Sequence, residues 1–118
     1  MSQRAAMRAP SDDTPAILRH RAHTEKRLRR LLEKTGSEAT LDDIKVIIFN
    51  DDGERPFAEY VMYLTELFGV GGEVHIDALI PVIQDAWNFF PHRRFDGRCP
   101  AQLFLEQTPG LTPDDLLA

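Results

Sequence analysis

Two amphipathic stretches on either side of a glycine-rich link constrain this chain more than any other feature. Phe57, Tyr60, Val61, Leu64, Leu67 and Phe68 recur at the i, i+3, i+4, i+7 spacing that lines one face of an α-helix, and Gly69 ends the pattern. Ile76, Leu79, Ile80, Ile83, Ala86, Trp87 and Phe90 share a second such face, stopped by Pro91. Pro81 is expected in the first turn of that helix, with Asp77 or a neighbour as its cap. The link Gly69-Val70-Gly71-Gly72 is short enough to force a tight connection. The two helices are therefore expected to lie antiparallel and bury their apolar sides against each other.

The flanking sequence is also helical in character. A first helix is expected to open at Thr14-Pro15, where a proline's missing N–H costs nothing, and to end near Lys34 ahead of Gly36. Its apolar positions are Ile17, Leu18, Ala22, Leu28, Leu31 and Leu32, with a gap at Thr24 and Glu25 that predicts packing through two patches. A short helix is expected from Cys99-Pro100, carrying Leu103, Phe104 and Leu105. Residues 1–13 lack apolar periodicity and read as a flexible tail.

One stretch reads two ways. Thr40-Leu41-Asp42-Asp43 fits a helix cap with an acid at the third helical position, and Leu41, Ile44, Ile47 and Ile48 fit helical spacing. The run Ile44-Lys45-Val46-Ile47-Ile48-Phe49 is equally a β-branched strand running into the Asn50-Asp51-Asp52-Gly53 turn. A lone strand lacks a partner, which favours the helix. The fold expected is all-α: four main helices plus a short C-terminal one over residues 14–118, with α+β and a strand at 44–49 as the alternative.

The chain has 118 residues, enough for one domain. Its single cysteine, Cys99, excludes an internal disulfide and any multi-cysteine metal framework. No apolar run approaches the roughly 18–20 residues of a membrane span, and residues 1–10 lack the apolar core of a secretion signal, so a cytoplasmic protein is expected. Charge is divided unevenly. Residues 1–37 hold nine Lys/Arg against four Asp/Glu, whereas residues 38–91 hold two against eleven. That division suits either a basic element reaching an external polyanion or a basic helix lying on the protein's own acidic surface, within the molecule or between subunits. The net charge of -5 favours the internal or inter-subunit reading, because the overall field repels nucleic acid.

Enzyme signatures are missing. No serine stands in a Gly-x-Ser-x-Gly elbow, and Gly69-Val70-Gly71-Gly72 lacks the lysine of a phosphate-binding loop. His20 and His23 share a helix face without a third ligand, and neither His75 near Asp77 nor His92 before Cys99 has diagnostic metal spacing. Asp42-Asp43 and Asp114-Asp115 read as helix caps, and Asp51-Asp52 as a turn. No catalytic residue, metal or cofactor is expected. The densest candidate is the segment 87–100, with four aromatics and three arginines. Either it is a binding loop, or Trp87 and Phe90 complete the core while Phe95 tucks the loop back. The candidate binding residues are His92, Arg93, Arg94 and Arg98 of this loop, with Arg27 and Arg30 of the basic helix.

In Trp87-Asn88, Pro91-His92, Gly97 and Pro100-Ala101, residues 87–101 resemble the end of the integrase-like core of bacterial transposases, with Cys99 in place of the usual hydroxyl. Small uncharacterised bacterial proteins look similar in the same loop. The chain has no room for the sheet and three acids of such a core, so transposase activity is not implied. Val46-Ile47-Ile48-Phe49-Asn50-Asp51-Asp52, with Pro56, Tyr60-Val61, Leu64 and Phe68, resembles the start of ClpS-type protease adaptors. That resemblance implies a strand before the turn, and Asn50 and Asp51 as amine-recognising residues. The function expected from the residues themselves is a non-enzymatic interaction or accessory module that binds a protein partner or its own copy. Nucleic-acid binding through residues 15–34 and 92–98 is the alternative, and the resemblance to ClpS-type adaptors implies a protease adaptor as a further one.

Overall fold

Helix α1 covers Thr14–Thr35 and ends where the sequence places its stop. Gly36 adopts φ +68°, and the Ser37 N–H reaches back 3.1 Å to the Leu32 carbonyl, satisfying an acceptor the helix end would leave open. The computed structural model describes residues 14–68 and 76–118. The expected tail and the glycine link fall outside the described residues.

Helix α2, Leu41–Phe49, resolves the ambiguous stretch in favour of helix. Its capping box is complete: Asp43 N–H donates to the Thr40 hydroxyl at 3.2 Å, and Thr40 N–H donates to the Asp43 carboxylate at 2.8 Å. Helix α3, Phe57–Leu67, and helix α4, Ile76–Phe89, follow. A 3-10 turn at Arg93–Phe95, helix α5 at Pro100–Gln107 and a second 3-10 turn at Pro113–Leu116 complete the described chain. Among the described residues every regular element is helical, and the fold is an all-α bundle.

Helix α4 is central, packing on α1, α3 and α5. The Trp87 ring near its end meets Phe57 and Tyr60 at the start of α3, with centroids 5.3 and 4.8 Å apart, so α3 and α4 run antiparallel as expected. Leu64 and Ile83 are both buried between them. With Leu28 and Leu32 of α1, Ile44 and Ile48 of α2, and Phe68 and Phe90, they form the main core. Burial of each such side chain contributes roughly 1.5–3 kcal/mol. A smaller core joins Ile17, Phe89, Cys99 and Ala101.

Several sequence expectations change in detail. The two patches expected on α1 are present, Ile17 in the smaller core and Leu28 with Leu32 in the main one; Thr24 lies buried between them at 0% exposure, while Leu18 and Ala22 face outward. The buried residues of α1 are Ile17, Thr24, Leu28 and Leu32. Helix α4 is rotated from its expected face: Val82, Asp85 and Phe89 are buried, while Ile76 and Ile80 are exposed. α1 lies along α4 and takes its Phe89 side, which shifts the buried arc. Pro81 sits in the second turn of α4 and Asp77 is already helical, so the Asp77 carbonyl has no helical donor. Phe104 points away from the core at 46% exposure; Pro100 and Ala101 pack instead.

Candidate functional site

The aromatic and arginine-rich segment is fastened inward around one carboxylate. Asp51, the second residue after α2, is only 2% exposed. Its Oδ1 accepts the Gly53 N–H at 2.9 Å, an Asx-type turn, and Gly53 sits at φ +77°. Its Oδ2 receives the Arg94 Nε at 2.8 Å and lies 3.0 Å from His92 Nδ1. The other nitrogen of the fully buried His92 lies 2.8 Å from the Trp87 carbonyl. Burial alone would raise the Asp51 carboxyl, but the Gly53 N–H, the Arg94 guanidinium and the His92 ring outweigh it and hold it below its ordinary 3.8.

The loop backbone is equally committed. His92 N–H donates to the Arg98 carbonyl at 3.1 Å, and the His92 carbonyl accepts from Phe95 and Gly97. Asp96 and Gly97 take left-handed conformations, φ 58° and 85°, which reverse the chain toward α5. Trp87 meets His92 edge-on at 4.8 Å, and the Arg94 guanidinium lies 4.3 Å from the Phe95 ring centroid. Arg98 bonds both carboxylate oxygens of Glu106 at 2.9 and 3.0 Å.

The six candidate binding residues therefore separate. His92 is buried, Arg94 is bound to Asp51, and Arg98 is paired with Glu106. Arg27 donates to Asp85 at 2.8 Å, and the other oxygen of that 1%-exposed carboxylate accepts the Ala118 N–H at 2.7 Å. Arg93 and Arg30 are exposed. They do not form one cluster, since the loop holds His92, Arg93, Arg94 and Arg98 while Arg27 and Arg30 lie on α1.

Helix α1 carries two kinds of cation. Arg21 and Arg27 turn toward α4, where Arg21 Nε donates to the Phe89 carbonyl at 2.7 Å. Arg19, Lys26, Arg29, Arg30 and Lys34 are exposed on the opposite side, with Glu33 the one acid among them. At ~1.5 Å per residue, positions 19 to 34 make a basic face about 24 Å long.

A second surface feature lies on α2. Val46, Phe49 and Pro91 line a cleft of about 480 Å3, rimmed by Asp42, Lys45 and Asn50. Val46 is 57% and Phe49 38% exposed. Sequence reasoning did not single out these residues as a site, although both are apolar positions off the Leu41, Ile44, Ile48 stripe.

No group of three or more potential metal ligands occurs among the described residues. His20 Nε2 contacts Asp114 at 2.7 Å and its ring packs on Phe89, whereas His23 is exposed. The expected cap roles hold for Asp43 and Asp115, the latter accepting the Thr112 N–H at 2.9 Å. Asp52 likewise accepts the Glu54 N–H, as a turn residue. Asn50 and Asp51 follow a helix, and Asp51 is directed into the protein. No described helix is long and apolar enough to cross a membrane. No family model, curated protein or solved structure matches the chain.

Proposed function

We propose that the protein is a non-enzymatic interaction module whose docking element is the solvent face of α1, and that its partner is a protein with an acidic surface. The observation that carries this reading is the division of α1's cations. Two are committed to α4, while Arg19, Lys26, Arg29, Arg30 and Lys34 stand together on the exposed side. Exposed like charges repel one another and add little to folding, so such a face gains most from an opposite surface. The partner is expected to be protein because the molecule's net charge of -5 opposes approach to a nucleic-acid backbone. The loop arginines Arg94 and Arg98 already have carboxylate partners, which removes much of the second cationic contact that nucleic-acid binding would use.

A photocrosslinking side chain at position 30, in cells producing the chain, tests this directly. Adducts that resist nuclease, yield to protease and vanish when Arg19, Lys26 and Arg29 are changed to Gln support the reading. Adducts sensitive to nuclease assign the face to nucleic acid instead. No adduct at position 30 contradicts any docking role for this face.

A further inference from the structure

The α2 cleft and the basic helix lie on one side of the molecule. Positions 18, 22, 25 and 29 share a flank of α1, by their spacing of four, three and four residues. Glu25 of that flank bonds Lys45 of α2 at 2.9 Å. The short connection between Thr35 and Leu41 returns α2 antiparallel to α1, so Phe49, one turn beyond Lys45, lies toward Ala22 and Leu18. Leu18 is 49% exposed and Ala22 is also exposed.

Charge complementarity indicates what would fill the cleft. Lys45 is neutralised by Glu25, which leaves exposed Asp42 to set the sign of the rim. A complementary knob is apolar with a cation beside it. Leu18, next to Arg19 on the basic helix, has that chemistry. Met62 and Tyr63 lie among Glu59 and Glu66, Ile76 and Ile80 flank Asp77, and Leu117 follows Asp114 and Asp115. Those would bring like charge to the Asp42 rim, as would Phe104 beside Glu106, while Phe57 stands between Arg55 and Glu59 and has no net cation beside it.

We propose that the cleft lined by Val46, Phe49 and Pro91 receives Leu18 of a second copy of this chain, with Arg19 of that copy meeting Asp42. Knob and cleft share one flank, so a two-fold axis beside it engages both at once, each copy giving Leu18 and receiving its partner's. This rests on reading α1 as a docking element and names the partner. Contact limited to one helical flank buries an area at the low end for specific pairs, so the dimer is weak, reversible and salt-sensitive.

Sedimentation equilibrium of the full chain from about 5 to about 500 µM, in low and high salt, reads this out. The wild-type chain dimerises with concentration, and more weakly in high salt. Val46→Asp and Leu18→Asp each weaken association at least about tenfold. Both positions face solvent, so thermal unfolding followed by circular dichroism stays at the wild-type temperature. Asp42→Arg and Arg19→Asp each weaken self-association, whereas an equimolar mixture of the two variants pairs as well as wild type, because both cross-contacts then join opposite charges. A chain that remains monomeric throughout overturns the proposal. So does a dimer indifferent to Val46→Asp and Leu18→Asp, or a charge-exchanged mixture that fails to pair. Each leaves the docking role of α1 to be decided by the crosslink at position 30.

Discussion

At the scale of single residues, two buried polar groups behave in opposite ways. The Thr24 hydroxyl is fully buried on α1 without a hydrogen-bond partner among the described residues. The side chain is buried between the two cores at the cost of an unsatisfied donor. Thr24→Val keeps the shape and removes that cost, and urea unfolding should show a gain of about 1 kcal/mol. Asp51 is the satisfied case. Its folded carboxyl titrates below 3.8, so its contribution to stability is fully present at pH values above the unfolded value. That contribution is lost as pH falls through the lowered folded value. Acid unfolding of Asp51→Asn should therefore be less steep below pH 3.8, on a baseline lower by about 2 kcal/mol near neutrality. The sequence shows Asp51 as a turn residue, and the Gly53 bond is indeed local. Its other partners, His92 and Arg94, lie 41 and 43 residues away, a separation that leaves no pattern in the chain.

At the scale of elements, capping and periodicity carry most of the information. Thr40 with Asp43, Gly36 after α1, and the spacing within α3 each specify a boundary through contacts of a few residues. The strand-like look of residues 44–49 has a physical source. Val46 and Phe49 are apolar but stand off the buried stripe of α2, so the segment reads as apolar throughout. The ambiguity was itself the signal of an exposed apolar surface. Which arc of α4 is buried depends on α1 approaching across the sequence, and periodicity alone could not resolve Ile80 from Val82. Pro81 inside α4 is a local weakness, since it lacks the N–H that would bond the Asp77 carbonyl. Pro81→Ala restores that bond, and thermal or urea unfolding should report a gain of about 1–3 kcal/mol.

At the scale of the whole molecule, the division of charge along the chain becomes a division in space. Basic α1 is anchored on α4 by Arg21 and Arg27, and its remaining cations point to solvent. The asymmetry is legible from residue counts, but the commitment of Arg27 to buried Asp85 is not, because Asp85 lies outside the apolar face that the sequence pattern gives α4. Arg27→Gln leaves that carboxylate with only the Ala118 N–H and should cost about 2–3 kcal/mol, discounted for the partial exposure of the arginine. The most direct check on the central claim, that the outward cations of α1 are held for a partner and not for the fold, sets that variant beside another in urea unfolding. A chain with Arg19, Lys26 and Arg30 all changed to Gln should unfold within about 1 kcal/mol of wild type. A loss of several kcal/mol, as large as that of Arg27→Gln or larger, would show those charges to be structural and contradict the account.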